Sequence, residues 1–416
     1  MQLITACIGY LALIAIAWLL SENRRKFPVR VVVWGTLLQV LLAALILKTS
    51  PGQRLFELLS DGFNGLIAFS NEGSSLLFGD LHQNIFAFSV LTVIIFFSAL
   101  TAVLYHLGIM PLLVSQIARL MQITLGTSGA ESLSAASNIF VGQTEAPLMI
   151  RPYLARMTRS ELMAVMVGGF STIAGSVLAV YAGFGIDVAH LLTASVISAP
   201  AGLLIAKVLV PEQQTPETSS INGATLQKSS GNLIEAIGNG TSDGLTLMLN
   251  VAAMLIAFLS LIALCDFCLG ACSGWLFSEV FGKPEWGKIT LSGILGVVFA
   301  PFAGLMGIAK DECLQAGELL GLKIAATEFV AYQQLGSILQ EDPDRFSPRT
   351  TTILTYALCG FSNFASIGIQ VGGIGAMAPE RKRELSQLAL RAMIGGTIAC
   401  CMTGSIAAIL IYDLPF

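Results

Sequence analysis

Two segments of the chain place a glutamate among apolar residues, each after a threonine and each followed by a glycine-phenylalanine-serine triplet. The first pairs Gln143-Thr144-Glu145 with Gly169-Phe170-Ser171, and the second pairs Thr327-Glu328 with Gly360-Phe361-Ser362. A charged group costs several kcal/mol at the centre of a bilayer, so a carboxylate at that depth indicates a functional site. Two such sites in corresponding positions, each interrupted by glycine and serine, indicate the substrate pathway of a secondary transporter with inverted repeats.

The segment 138–147 has the composition of a hairpin tip that carries hydrogen-bonding groups. Within it, Gly142 lets the backbone bend and Pro147 suits the first turn of a helix. An ordinary capping box at a helix end explains Thr144 but not the polar groups on either side of it. We therefore predict a ligand site at this tip.

The run of small residues at 168–176 has two interpretations. Either the helix unwinds there and offers carbonyls to an ion, or the small residues allow close packing of helices. The match with 360–366 in the other half favours a broken helix at a site. There, Glu328, Asn363 and Ser366 could share a polyhydroxylated ligand. The alternative is a buried glutamate that Asn363 satisfies within the protein.

The composition is that of a membrane protein that contacts the lipid bilayer along most of its length. The chain has 416 residues, of which 55% are hydrophobic and 12% charged, and its mean hydropathy is +0.77. This composition leaves no room for a large soluble domain. The net charge is −4, and no block of lysine and arginine is long enough to follow a phosphate backbone, which excludes nucleic acid as a partner.

Apolar runs and polar interruptions predict how the chain is organised. Segments 52–70 and 230–240 alternate charged and apolar residues as interfacial helices do. Segment 211–231 has the composition of a linker. The segments that end at 130–157 and 308–341 each contain a polar break before a full span, which predicts two re-entrant hairpins. Runs long enough to span lie near 1–20, 30–48, 84–107, 161–184, 188–208, 244–268, 350–372 and 386–412.

These features predict an all-α membrane protein with eight transmembrane helices, two re-entrant helical hairpins in an inverted repeat, and interfacial helices. Residues 1–83 are expected to form peripheral N-terminal helices and an interfacial helix, and residues 211–242 a linker and a second interfacial helix. The first repeat is expected at 84–210, with hairpin 1 at about 128–157. The second repeat is expected at 243–416, with hairpin 2 at about 308–341.

Charges beside the spans predict the orientation. The first apolar run is followed by Arg24, Arg25 and Lys26, whereas a cleavable signal carries its charge before the apolar run. We therefore expect a retained first helix with its N-terminus outside. If both hairpins re-enter without crossing, the basic loops 151–159 and 379–385 both lie inside, as the positive-inside rule requires.

Further motifs give the chain a family resemblance. The chain resembles the concentrative nucleoside transporters over nearly its whole length. The motifs that carry this resemblance are the tip Gly142–Pro147, Arg151-Pro152-Tyr153, Glu328-Phe329-Val330-Ala331-Tyr332 and the Gly360–Ser366 segment. The resemblance implies a nucleoside symporter, not an enzyme, that forms a homotrimer and works by an elevator-type alternating-access mechanism. It further implies a bacterial inner (cell) membrane location. One departure is Thr327, which stands where the family often has asparagine.

The resemblance also implies roles for individual residues, by matching position. The substrate residues that it implies are Gln143, Thr144 and Glu145 for the nucleobase, Val177 and Phe361 for its flanks, and Glu328, Asn363 and Ser366 for the ribose hydroxyls. The family's sodium site maps to the side-chain oxygens of Asn138 and Thr172 and to the carbonyls of Val141 and Ile173. Oxygen ligands from a hairpin tip and an unwound helix suit a hard cation.

Two alternatives remain open at this point. The first is the same transporter driven by protons through Glu145 or Glu328. Proton-coupled relatives tend to lose the asparagine at the position of Asn138 and the Ala-Pro pair after the tip glutamate, and both features are present here, which favours sodium as the coupling ion. The second and more remote alternative is an intramembrane enzyme that uses the two carboxylates as acid and base.

Overall fold

The computed structural model of the chain describes residues 2–79, 81, 88, 91–220, 231–275 and 289–411. Over these residues the backbone forms helices joined by turns, with no β-strand, so the prediction of an all-α protein is confirmed. In chain order the α-helices are α1 (Gln2–Leu19), α2 (Val29–Lys48), α3 (Ser50–Phe78), α4 (Val93–His106), α5 (Ile109–Leu125), α6 (Gly129–Ser137), α7 (Ala146–Met149), α8 (Arg151–Leu154), α9 (Arg159–Ser171), α10 (Gly175–Gly183), α11 (Val188–Leu209), α12 (Leu233–Trp275), α13 (Leu291–Leu305), α14 (Cys313–Ala325), α15 (Glu328–Glu341), α16 (Pro348–Leu358), α17 (Phe364–Met377) and α18 (Lys382–Leu410).

Six predicted spans coincide with helical stretches long and apolar enough to cross a bilayer within the described residues. These stretches are α1, α2, α9 with α10, α11, α12 and α18. One more candidate is the pair α4 and α5, which is bent by 76°. The predicted span 84–107 begins in residues outside the described ranges, and α4 forms its second half. The predicted span 350–372 corresponds to α16 and α17, which are separated by a break at 359–363.

The segments predicted as interfacial helices extend further than expected. Segment 52–70 lies within α3, one amphipathic helix of 29 residues. Segment 230–240 is not a separate helix, because from Leu233 onward it is continuous with α12, which has 43 residues. No proline interrupts the sequence between 233 and 275, so nothing in the local chemistry ends the helix before the apolar span begins.

The three segments that the charge pattern places on one side lie together at one end of the helix bundle. Arg159 donates to Glu22 at 2.8 Å and lies 3.6 Å from Glu384. Arg381 donates to the backbone carbonyl of Met157 at 2.7 Å. The loop after α1, the start of α9 and the start of α18 are therefore joined by ion pairs and a charge-assisted hydrogen bond.

Beneath these ion pairs, a buried ionic cluster attaches hairpin 1 to the helices around it. Lys207, near the end of α11, lies 2.7 Å from Glu131 at the start of α6 and 3.4 Å from Glu212. Glu161, at the start of α9, accepts from the Ser128 hydroxyl at 2.6 Å. Because Ser128 also begins a capping box with Glu131, the base of the hairpin is held from several directions.

Each glycine-phenylalanine-serine triplet lies at a helix break: the first is the last turn before its break, the second lies within its break, and the two breaks contact each other. The first break lies at 172–174 between α9 and α10, and the second at 359–363 between α16 and α17. The backbone N–H of Phe361 donates to the carbonyl of Thr172 at 3.2 Å. Gly360 has φ of 154°, and a Cβ there would lie 2.8 Å from the carbonyl oxygen of Phe170. Only glycine permits so close a crossing of the two breaks.

Candidate functional site

The tip of hairpin 1 is a loop closed by its own carboxylate. Helix α6 ends at Ser137, and the chain resumes a helix at Ala146 with Pro147 in its first turn. Between them, the Glu145 carboxylate accepts from the backbone N–H of Gly142 at 2.7 Å. This bond fixes the bend at the glycine and brings Gln143 and Thr144 to the surface of a cavity.

The tip of hairpin 2 is shorter and places its carboxylate at the start of a helix. Thr327 caps α15, because its hydroxyl accepts from the backbone N–H of Val330 at 3.4 Å. Threonine thus serves as a helix cap at the position where the resemblance leads one to expect asparagine. Glu328 follows as the first residue of α15, and it is buried.

Glu328 is held by side chains from two other helices. Its carboxylate accepts from the Asn363 amide at 2.7 Å and from the Tyr181 hydroxyl at 3.0 Å. Asn363 in turn caps α17, since its amide oxygen accepts from the backbone N–H of Ser366 at 2.8 Å. Each carboxylate oxygen therefore has one side-chain donor and keeps further acceptor capacity for a ligand.

Gln143 joins the first hairpin tip to the second half of the chain. Its amide nitrogen donates to the Ser366 hydroxyl at 3.0 Å, and its amide oxygen accepts from Gln370 at 3.0 Å. Gln370 also donates to the backbone carbonyl of Met166 at 3.2 Å. A continuous series of hydrogen bonds therefore runs from α9 through Gln143 and Ser366 to the carboxylate of Glu328.

All eight substrate residues that the resemblance implied line one cavity of about 410 Å³. They are Gln143, Thr144, Glu145, Val177, Glu328, Phe361, Asn363 and Ser366. This volume falls within the range of small-molecule sites. The opposite wall is supplied by α12, which brings Asp243, Thr246 and Asn250 to the same cavity.

The four residues predicted to hold an ion belong to the hairpin 1 tip and to the first helix break, which touch where the backbone N–H of Gly175 donates to the carbonyl of Phe140 at 3.0 Å. Asn138 is buried, its amide nitrogen donates to the carbonyl of Ser134 at 3.1 Å, and its amide oxygen has no hydrogen-bond partner. The Thr172 hydroxyl donates to the carbonyl of Gly168 at 2.9 Å. Val141, in the tip, and Ile173, in the break, are both buried. A buried amide oxygen without a donor is costly in a protein interior, and a cation would satisfy it.

The second helix break instead has a buried lysine at its carbonyl end. Lys323, on α14, is 1% exposed, and its ammonium group donates to the carbonyl of Ala357 at 3.0 Å. The Tyr332 hydroxyl donates to the carbonyl of Thr355 at 2.6 Å. The last carbonyls of α16 are therefore satisfied by side chains from hairpin 2.

Sequence reasoning missed three groups of residues around the cavity. Tyr181 and Gln370 each follow a predicted site residue by one helical turn, after Val177 and Ser366 respectively. That spacing was the available signal, since residues four apart share a helix face. Lys323 was signalled only by its charge within an apolar run, and the α12 wall had no local signal that connected it to the hairpins.

The sequence Gly-Thr-Ser-Asp-Gly at 240–244 has the spacing of a hydrolase nucleophile elbow but lies in a different structural context. An elbow requires a sharp turn between a strand and a helix. Here the whole segment lies within α12. Gly240 and Gly244 pack against α4, where an added Cβ would lie 2.8 Å from the Cα atoms of Ala99 and Ile95 respectively. The two glycines therefore serve helix packing.

Comparisons with known proteins match the whole chain. Three family models match in succession: "Na+ dependent nucleoside transporter N-terminus" at 8–81, "Nucleoside recognition" at 87–187 and "Na+ dependent nucleoside transporter C-terminus" at 190–408. An uncharacterized transporter of Haemophilus influenzae is 44% identical, with 99% of this chain and 98% of that protein covered. Human solute carrier family 28 member 3 is 41% identical over 97% of this chain, which spans 59% of that longer protein.

Solved structures of a similar transporter share the fold. CNTnw in an inward-facing substrate-bound state matches with a TM-score of 0.91 and 40% identity, and 99% of this chain and 98% of that chain are covered. A double variant of CNTnw in an outward-facing state matches with a TM-score of 0.93 and 39% identity, and 100% of this chain and 99% of that chain are covered. The eight-span, two-hairpin architecture predicted from the sequence is confirmed by this likeness.

Proposed function

Because the chain belongs to the Na+ dependent nucleoside transporter family, we propose that it is a sodium-coupled symporter that imports nucleosides. The chain is a multi-pass membrane protein, and its family is one of transporters rather than enzymes. The cavity between the two hairpin tips, the second helix break and α12 is the proposed nucleoside site. The observation that carries this proposal is the buried Glu328 carboxylate, which keeps acceptor capacity beside the cavity.

Glu328, Asn363 and Ser366 are the proposed ribose site. The vicinal hydroxyls of ribose donate well to a carboxylate, and an amide and a hydroxyl can both donate and accept. Since Tyr181 and Asn363 already orient the carboxylate, binding requires little reordering of the site. A solute without hydroxyls leaves the remaining acceptor capacity of the Glu328 carboxylate unused, and this disfavours the free nucleobase.

The hairpin 1 tip is the proposed base site. Gln143, Thr144 and Glu145 carry amide, hydroxyl and carboxylate groups to the cavity, as recognition of a heterocycle edge requires. Val177 and Phe361 line the same cavity and supply apolar surface for the faces of the ring. The two tips thus divide the solute between them, with the base on the first and the ribose on the second.

Sodium is the proposed coupling ion, and the residues at the first helix break fit it. The unpaired amide oxygen of Asn138, the Thr172 hydroxyl and the carbonyls of Val141 and Ile173 form a neutral set of hard oxygen donors. When bound, the ion supplies positive charge at the carbonyl end of α9. The carbonyl of Thr172 accepts from the backbone N–H of Phe361. An ion that orders the first break therefore also stabilises the conformation of the nucleoside site.

Transport is proposed to follow an elevator-type alternating-access mechanism in a homotrimer. Helices α9, α11 and α18 are largely buried, whereas the apolar part of α12 is exposed along its length. This contrast supports a moving body that holds the hairpins and a scaffold that includes α12. We place the protein in the bacterial inner membrane with its N-terminus outside, in keeping with the basic loops at the opposite end.

Uptake of radiolabelled uridine into proteoliposomes tests the proposal. We expect uptake that requires inward sodium, that stops when choline replaces sodium at fixed pH, and that delivers chemically unchanged uridine. The Glu328→Gln variant, reconstituted at the same density, serves as the inactive control. Uptake that is equal in choline and that follows a pH gradient would assign the coupling to protons, and chemical conversion of uridine would point to an enzyme.

A further inference from the structure

Gln370 is a buried amide behind the cavity, where it contacts the lining residue Gln143 but does not line the cavity itself. It lies on α17, one turn after Ser366, and its side chain is 1% exposed. Its amide nitrogen donates both to the Gln143 amide oxygen at 3.0 Å and to the Met166 carbonyl at 3.2 Å. A Cβ at Gly169 would lie 2.7 Å from that nitrogen, so the glycine in the first triplet leaves the space that the amide occupies.

The Met166 carbonyl determines which way the Gln370 amide must face. A backbone carbonyl can only accept, so the NH2 end of Gln370 must point towards it. The other N–H of the same nitrogen then points to Gln143, which must present its oxygen in return. The Gln143 amide nitrogen is thereby turned to the Ser366 hydroxyl, 3.0 Å away. The orientation of Gln143 follows from a backbone atom rather than from a choice between two similar atoms.

On the ribose side of the site, a backbone atom likewise determines the orientation of the Asn363 amide. The backbone N–H of Ser366 can only donate, so Asn363 must turn its oxygen to it, at 2.8 Å. The Asn363 amide nitrogen then faces Glu328, at 2.7 Å. Two backbone atoms, one on α9 and one on α17, thus set the direction of every amide between them.

We propose that Gln370 is a positioning residue for base recognition, which holds Gln143 with its N–H groups towards the cavity so that the base is read through an acceptor atom. This inference rests on the proposed function and deepens it. One N–H of Gln143 goes to Ser366, and the second is left for the ligand. The matching ligand is a nucleoside with an oxo group on the base edge that meets hairpin 1.

Binding measurements with matched uridine analogues test this role. We would measure the dissociation constants of uridine, 2-thiouridine, 4-thiouridine and 2′-deoxyuridine by calorimetry on the purified wild type in saturating sodium. Sulfur accepts hydrogen bonds more weakly than oxygen, so one of the two thio analogues should bind about tenfold more weakly than uridine. The deoxyribose analogue measures the ribose site and serves as the internal control.

The variants Gln370→Leu and Gln370→Glu should change only the ratio of the dissociation constants of the thio analogues to that of uridine. Leucine removes both donors, and an ionised glutamate can only accept, so in either case Gln143 is free to turn over. We expect the thio penalty to fall below about twofold while the deoxyribose penalty keeps its wild-type value. Glutamate matches glutamine in shape, so it provides a second variant if the leucine protein does not fold.

Four results overturn the inference, and each has a distinct meaning. A wild type that binds both thio analogues as well as uridine contradicts the orientation of Gln143. A thio penalty that persists in both Gln370 variants contradicts the positioning role. Thio and deoxyribose penalties that fall together indicate a general structural role for Gln370. A wild type that binds none of these nucleosides defeats the proposed function itself, on which the inference rests.

Discussion

The two helix breaks carry the same sequence triplet but differ in what stands at their carbonyl ends. At the first break, Asn138 lies beside the last turn of α9, where a Cβ on Gly168 would be 3.2 Å from its amide nitrogen, and its amide oxygen has no partner. At the second, Lys323 brings a buried ammonium group to the end of α16. The C-terminal end of a helix favours positive charge. One half therefore has a cation attached to its own chain, and the other has the position that we propose for a cation from solution.

The two carboxylates differ in a related way. Glu145 accepts a backbone bond from within its own loop, and so shapes the tip that carries it. Glu328 accepts from Tyr181, which lies on α10, and from Asn363, which lies at the start of α17. The first carboxylate stabilises a local bend, whereas the second is oriented by distant elements for contact with a ligand. Under the proposed function, the first half therefore holds the ion and the base, whereas the second half holds the ribose.

The largest effect is expected from removing the charge of the second carboxylate. Glu328→Gln keeps the shape but replaces one acceptor oxygen by a donor that faces Asn363 or Tyr181. We predict that uridine affinity falls about 100-fold or more, because the loss of a charged hydrogen-bond partner costs about 3 kcal/mol. Calorimetry on the purified variant measures the change.

The matched variant in the first half is Glu145→Gln. It should lose less than about tenfold in affinity, because the bond it disturbs lies within one loop. Equal losses in the two variants would contradict the division of roles between the carboxylates.

The next largest effect is expected at the first break. Asn138→Leu removes the unpaired amide oxygen and should abolish the sodium dependence of uridine binding, which we expect to be about tenfold in the wild type. Asn138→Ser, which retains an oxygen on a shorter side chain, should weaken that dependence. Titrations of uridine at several sodium concentrations, with choline to hold ionic strength, measure both. Sodium dependence that is unchanged in Asn138→Leu would show that the ion site is misassigned.

A smaller and different effect is expected at the second break. Lys323→Met keeps most of the side-chain volume but leaves the Ala357 carbonyl without its donor. We predict that uridine affinity falls roughly fivefold at every sodium concentration, since an unsatisfied buried acceptor costs about 1–3 kcal/mol and only part of that reaches the site. The sodium dependence itself should be unaltered. If the variant instead changes the response to sodium, the two breaks do not have separate roles.

The smallest effect is expected at the seam between the two halves, outside both breaks. Hydrogen bonding and attraction from Arg159, with a further contribution from Arg391, lower the pKa of Glu22 below its ordinary value of 4.5. A lowered folded pKa means that the stabilisation is present above the unfolded value and is lost as the pH falls through the folded value. Glu22→Gln should therefore lower the free energy of unfolding at pH 7 by less than about 1 kcal/mol, and its melting temperature should be slightly lower than that of the wild type.

The pH dependence supplies the check on that prediction. The melting temperatures of the wild type and of Glu22→Gln should converge as the pH falls below 4.5 and through the lowered pKa. A difference that stays constant down to acidic pH would mean that Glu22 contributes by packing rather than by its charge.

Much of the fold could be predicted because each membrane helix has a signal within its own stretch of sequence. Runs of about 20 apolar residues define α1, α2 and α11, and a polar residue within such a setting marks a site. The eight residues predicted to bind the substrate all line one cavity. They were found because each hairpin tip and each break concentrates its polar groups within a few residues of sequence.

The remaining features depend on contacts between distant parts of the chain. Gln370 meets Gln143 across 227 residues, and Tyr181 meets Glu328 across 147. For Tyr181 and Gln370 the only local signal is their spacing of four residues from Val177 and Ser366, and that spacing does not identify the partner across the fold. The α12 wall was missed for the same reason, because only the folded chain brings Asp243 and Thr246 opposite the hairpins.

Reciprocal binding of sodium and uridine to the purified wild type tests the central proposal most directly. Uridine affinity is measured with and without saturating sodium, and sodium affinity with and without saturating uridine, at fixed pH with choline as the replacement cation. The proposal predicts that each ligand raises the affinity of the other by the same factor, as thermodynamic linkage requires. Uridine affinity that is the same in choline and in sodium would contradict it, and the proton-coupled alternative would take its place.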